Sequence, residues 1–191
     1  MPDEFADPNP FPPDFFNANL SGRARGVVFS TPGRGFLVST DADNPTDTPV
    51  RFGRLNPTYL QQFATFSPER LFTPQGGGAL GSRTTNVRFF IPGRTTPAVT
   101  TGFGAVFTDV DLRRKTKVEF FDKAGRLLRT QFVPPSPGAR SLSFVGVVFD
   151  DAVVARVRIF TGTAGVGPGD APGAGRDIVV MDDFIYGEPV R

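Results

Sequence analysis

Between residues 86 and 186 the chain is a succession of short β-prone runs, with no helix-forming stretch between them long enough for a crossover. The runs are 86–91, 101–110, 116–121, 127–133, 141–149, 153–160 and 177–186. Strands joined by turns pair antiparallel, because a parallel neighbour needs a connection of roughly a dozen residues or more. Alternation supports the assignment: Phe103, Ala105 and Phe107 share one face, as do Val118 and Phe120, and Val153, Ala155, Val157 and Ile159 oppose Arg156 and Arg158. In the run 141–149, Leu142, Phe144, Gly146 and Val148 alternate with Ser143, Val145, Val147 and Phe149, so this strand reads as apolar on both sides.

The first half of the chain is more broken. Residues 26–30 and 35–40 flank Thr31-Pro-Gly-Arg34, which predicts a β-hairpin. Residues 41–48 form an acidic, proline-broken loop, the span 59–66 suits a short helix, and the glycines of 75–81 suit a loop tip. Residues 1–20 read as an extended segment packed on the body through Phe11, Phe15 and Phe16, and residues 21–191 as one domain. Eight or nine strands without βαβ spacing predict an all-β fold, a two-sheet antiparallel β-sandwich of jelly-roll-like type. A chain of 191 residues buries enough surface for such a core without cross-links.

Composition then narrows the chemistry. The chain has no Cys, no His and no Trp. It therefore supplies no Ser-His-Asp or Cys-His relay, no disulfide and no ordinary zinc, haem or iron–sulfur ligation. A net charge of +2, with acids and bases interleaved, predicts no nucleic-acid partner. No apolar run approaches the roughly 18 residues of a bilayer span, so no membrane insertion is expected. The opening residues, Met-Pro-Asp-Glu-Phe, lack a basic and then apolar leader, so if the protein is exported its secretory signal is expected to lie ahead of Met1.

Oxygen ligands remain available. Calcium accepts carboxylates, carbonyls and water, and needs neither His nor Cys. Candidate metal ligands are Asp109 and Asp111, which alternation places on one face at a strand end, and Asp182 and Asp183 in the last strand. Alternation sends Asp182 and Asp183 to opposite faces, so one of them at most would enter a given ligand set. Asp109 and Asp111 have a competing partner in Arg113 or Arg114, and a buried Asp182 or Asp183 needs a hydrogen bond, an Arg or a metal. The candidate ligand-binding residues are Tyr59 and Tyr186, the only two tyrosines, with Asp43 and Asn44 in the acidic loop. Paired carboxylates are nominal candidates for glycosidic hydrolysis, but nothing in the sequence separates an acid from a base.

The segments Phe11-Pro-Pro-Asp-Phe-Phe-Asn17, Arg25-Gly-Val-Val-Phe29, Gly102-Phe-Gly-Ala-Val-Phe-Thr-Asp-Val-Asp111 and Val179-Val-Met-Asp-Asp-Phe-Ile-Tyr-Gly187 carry a resemblance. Together they resemble exported bacterial β-sandwich surface modules of the kind found ahead of PEP-containing carboxy-terminal sorting tags, and carbohydrate-binding-like jelly-roll domains. The resemblance implies an extracellular or cell-surface location and a structural Ca²⁺ near Asp182 or Asp183. The chain ends at Glu188-Pro-Val-Arg191 with no sorting motif, so no anchor is expected. The resulting expectation is a non-catalytic binding module for a glycan or a surface protein, with calcium as a structural cofactor. The alternative is a structural or adhesive surface protein that forms a homo-oligomer, and a carbohydrate-active enzyme stands third.

Overall fold

The structure is a computed structural model that describes residues 6–7, 9, 11–20, 22–40, 50–67, 70–76, 78, 82–169 and 175–191. Among these lie ten strands: β1 (Val27–Ser30), β2 (Gly35–Val38), β3 (Phe72–Gln75), β4 (Thr84–Phe89), β5 (Gly102–Thr108), β6 (Lys117–Phe121), β7 (Leu127–Phe132), β8 (Leu142–Val148), β9 (Arg156–Phe160) and β10 (Val180–Tyr186). They form two five-stranded sheets, ordered β1-β4-β9-β6-β7 and β2-β3-β10-β5-β8, and every pairing is antiparallel. The all-β, jelly-roll-like sandwich predicted from alternation is the fold observed.

The inner faces follow the period of two. Val27, Phe29, Val87, Phe89, Val118, Phe120, Val157 and Ile159 of the first sheet meet Phe36, Val38, Phe72, Phe103, Ala105, Phe107, Val145 and Met181 of the second. At about 1.5–3 kcal/mol for each large apolar side chain buried, this layer is the main bond between the sheets. A second core lies on the far side of the second sheet. There Phe52, Tyr59 and Phe63 cover Leu37, Leu71, Ile178 and Val180.

Two local predictions are corrected and one strand is added. The runs around Thr31-Pro-Gly-Arg34 do not form a hairpin: β1 pairs with β4 and β2 with β3, so the chain crosses from one sheet to the other. The crossing is fixed by close contact, since a Cβ on Gly33 would lie 2.3 Å from the Gly76 carbonyl oxygen at the end of β3. Across the layer, Phe29 and Phe36 stack with ring centroids 5.2 Å apart, facing each other as residues of opposite sheets do. The predicted helix over 59–66 is a single turn, α1 (Tyr59–Gln62). Beyond it the backbone N–H of Ala64 donates to the Thr108 hydroxyl and that of Phe66 to Asp182, so tertiary acceptors take the donors that would have extended the helix. Strand β3 was not predicted because it contains Pro74. Its pairing with β10 is confined to Phe72, so Pro74 forgoes no ladder bond on that side.

The start of the chain packs against the second sheet. Phe11 bridges to Phe36, its N–H donating to the Phe36 carbonyl at 2.9 Å, and the Asp7 N–H donates to Val38 at 2.8 Å. No helix among the described residues is long and apolar enough to cross a membrane.

Candidate functional site

The last strand carries the irregularity that shapes the site. The pairing of β10 with β5 shifts between Met181 and Phe184, a β-bulge that displaces Asp182 and Asp183 from simple alternation. Both carboxylates therefore reach one hydroxyl: Ser67 Oγ donates to Asp183 Oδ1 at 2.7 Å and to Asp182 Oδ1 at 3.2 Å. This overturns the prediction that the two point to opposite faces. Asp182 is fully buried, and its Oδ2 accepts the Phe66 N–H at 2.6 Å. Burial pushes its pKa up to about 6, against the lowering effect of the Phe66 hydrogen bond and with a further push from Asp183. Asp183 is only half-buried and faces an opening.

That opening is a cleft of about 240 Å³ where β1, the edge of the first sheet, faces β3 and β10 of the second. Its apolar lining is Phe16, Val27, Phe29, Phe72 and Phe184. The rings form one cluster, with Phe29 and Phe184 at 4.7 Å and Phe72 and Phe184 at 5.3 Å between centroids. Its polar lining is Arg25, Ser67, Arg70, Asp183 and Tyr186. Arg70 is held in place by donating from Nη1 to the Ser39 carbonyl at 3.0 Å. The Tyr186 hydroxyl donates to the Arg25 carbonyl at 3.2 Å, tying the rim of β10 to the chain just ahead of β1. Burial pushes the Tyr186 phenol up, Arg25 partly opposes this, and Glu188 adds to it.

The other expected residues lie elsewhere. Tyr59 is in the second core, fully buried, and its hydroxyl both donates to the Gly167 carbonyl and accepts the Gly167 N–H. It presents no face for a ligand to stack on. Asp43 and Asn44 lie outside the described residues. Asp109 adopts φ of +65° just past the end of β5, so the alternation assumed for Asp109 and Asp111 has already ended. Asp109 Oδ2 accepts from Gln62 Nε2 at 2.6 Å, and Asp111 Oδ1 accepts the Gly138 N–H at 2.9 Å. Burial pushes the Asp109 pKa up to about 6; Gln62 opposes this, and the charges of Asp111 and Asp177 reinforce it. Asp177, which the sequence did not single out, joins this group by accepting the Asp111 N–H at 3.0 Å.

The four carboxylates expected around calcium thus fall into two groups, Asp182 with Asp183 at Ser67, and Asp109 with Asp111 near Asp177. Among the described residues no three acidic side chains converge to hold a metal ion. The Asp182 oxygens accept from the Phe66 N–H and the Ser67 hydroxyl.

Of the cleft residues, the sequence singled out Tyr186 and Asp183. Arg25, Ser67 and Arg70 were missed because each lies outside a strand, where no periodicity marks direction. Phe29, Phe72 and Phe184 read as core, which they are on one side.

No protein-family model matches this chain, and no curated protein matches it by sequence. Among solved structures it is similar to the enzymatically active domain of bacteriophage CBA120 tailspike protein 4, with 14% identity over 91% of this chain and a TM-score of 0.35. The chain spans about a fifth of that protein's length, 21%. It is also similar to CpGH89CBM32-4 produced by Clostridium perfringens, with 14% identity, 80% of this chain and 97% of that one covered, and a TM-score of 0.29. At these scores nothing about ligand or activity passes to this chain.

Proposed function

We infer that the protein is a non-catalytic, exported binding module and that the cleft between β1 and β3–β10 receives a sugar ring or a glycan chain end. The observation that carries this reading is the composition of one small opening. Phe16 and Phe184, the partly exposed rings of an aromatic cluster that continues inward through Phe29 and Phe72, sit beneath an acid, two arginines and two hydroxyls. Sugars present C–H faces that pack on rings and hydroxyls that both donate and accept. Asp183 accepts, Arg25 donates, and the oxygens of Ser67 and Tyr186, whose protons go to the aspartates and to the Arg25 carbonyl, accept. A volume of about 240 Å³ is below the range of roughly 300–1,000 Å³ usual for drug-sized ligands, which favours a single ring.

The chemistry of turnover has less support. Asp182 and Asp183 share a hydroxyl, whereas glycosidases hold two carboxyls apart on either side of the bond. The test is a glycan array followed by calorimetry on the best ligand. Saturable binding weakened about tenfold or more by Asp183→Ala, roughly the loss of one charged hydrogen bond, supports the cleft. Absence of any glycan binding, or binding unaffected by both Asp183→Ala and Arg25→Ala, rejects it.

A further inference from the structure

The four sheet edges are protected very unequally. β2 is covered by the N-terminal segment through Asp7 and Phe11. β1 is only Val27–Ser30, and its Phe29 N–H donates to the Pro13 carbonyl at 3.0 Å. β7 carries Arg129 and borders a register shift at Phe120/Phe121. β8 carries none of these devices in its own sequence, and the charge bordering it is Arg129 of β7, which with Gln131 lines an opening beside residues 144–148. Its sequence, Leu-Ser-Phe-Val-Gly-Val-Val, has no charge, no proline and no bulge, and its register with β5 is unbroken from Leu142↔Thr108 to Val148↔Gly102. Native sheets normally blunt such an edge, because its free N–H and C=O groups are a template for another strand.

The direction of those groups follows from the ladder. The Asp109 N–H donates to the Ser141 carbonyl and the Phe149 N–H to the Thr101 carbonyl, so odd-numbered residues of this strand bond to β5. In an antiparallel pair the alternate residues point the other way. Leu142, Phe144, Gly146 and Val148 therefore offer their backbone outward. The same four hold the outer face, with Leu142 38%, Phe144 54% and Val148 83% exposed, and Ile185 of β10 beside them at 59%.

We propose that β8 pairs antiparallel with β8 of a second copy of this chain, joining the two β2-β3-β10-β5-β8 sheets into one. A two-fold axis through Val145 sets Phe144 opposite Gly146 of the other copy, and Leu142 opposite Val148, each twice. The bulkiest residue of the strand then faces the one without a side chain, an arrangement known to stabilise glycine in strands. No charge on β8 opposes self-pairing. About eight new backbone hydrogen bonds would form. β5 and β10 separate β8 from β3, so the cleft between β1 and β3–β10 stays open in the dimer.

The experiment is sedimentation equilibrium of the full chain from about 1 to 200 µM, a range set to catch a micromolar dimer, combined with residue-resolved amide exchange. The expected result is a dimer in which the amides of residues 142, 144, 146 and 148 exchange about tenfold or more slowly at high concentration than at low. The amides of 143, 145 and 147 are protected at both. Val148→Lys and Phe144→Lys, on exposed positions, should each give a monomer that keeps the odd-residue protection, which shows that the fold persists. A monomer throughout the range, a dimer that survives both lysines, or a dimer with unprotected even-residue amides would overturn the proposal. A strand of a different protein as the true occupant would appear as the first of these.

Discussion

The two sheets turn opposite kinds of surface outward. On the first, Arg88 lies directly across from Arg156, Arg158 across from Glu119, and Lys117 across from Phe160. Arg156 stands 3.9 Å above the Phe121 ring and Lys117 4.7 Å above that of Phe160, while Glu119 accepts from Lys117 and from Arg158 at 2.7 Å. On the second sheet, the strip along β5 and β8 is glycine and aliphatic. A Cβ on Gly102 would lie 2.4 Å from the Val147 carbonyl oxygen, and one on Gly104 would lie 3.0 Å from the tip of Phe144. Both faces belong to five-stranded antiparallel sheets. One is built to be solvated and the other to be touched, and only side-chain choice on the outward positions separates them.

The largest expected effect probes the glycine strip. Gly102→Ala should destabilise by about 3 kcal/mol, because the methyl meets backbone that cannot turn aside. Gly104→Ala, which meets the movable Phe144 ring at 3.0 Å and backbone no closer than 3.1 Å, should cost about 1 kcal/mol. Urea denaturation of the pair measures the difference, and equal costs would mean that the strip is not packed as closely as the distances imply.

Next comes the charged face. Glu119→Ala leaves Arg158 and Lys117 beside Arg156 with no anion among them. The expected loss is about 2 kcal/mol, below the 3–5 of a fully buried pair because both cations are about a third exposed. A urea midpoint within error of wild type would show that Glu119 contributes nothing net.

The smallest effect separates the sheets by pH. Burial alone would raise the Glu119 carboxyl, but hydrogen bonds and charge from Lys117 and Arg158 outweigh it and hold it below its ordinary 4.5. Its contribution is present above that value and is lost as pH falls through the lower folded one. Asp109 and Asp182 behave oppositely. Raised from 3.8 to about 6, they favour the folded state while protonated, so their contribution is full below about 4 and is lost as pH rises through about 6. The melting temperature should therefore drop by a few degrees between about pH 4.5 and 7. Asp182→Asn should flatten the slope, and an unchanged slope would remove Asp182 as its source.

Much of the fold was legible because alternation reports one thing well, the side of a strand that faces the core. Val118 with Phe120, and Val157 with Ile159, were placed correctly from period alone. Period does not report which strand lies beside which, and so β1 and β2 read as a hairpin when they belong to different sheets. It also fails wherever the ladder is irregular. The bulge at Asp182 and Asp183 and the left-handed backbone at Asp109 each redirected a carboxylate whose side had been inferred from a regular strand. Tyr59 was read as a contact residue because it is one of only two tyrosines, yet its segment folds over the second sheet and buries the ring.

By itself the sequence determined the class of fold and the chemistry that is out of reach. Short alternating runs permit only antiparallel layers, and a chain without Cys, His or Trp carries no thiolate, imidazole or indole whatever its shape. Tertiary structure alone decided which polar groups meet. Arg25, Ser67, Arg70, Asp183 and Tyr186 come from three separate parts of the chain and share one opening only because two sheets close over each other. It also decided that β8 comes last in its sheet among the described strands, since an apolar strand in the middle of a sheet and one at its border have the same local sequence pattern and differ only in whether a neighbour is present.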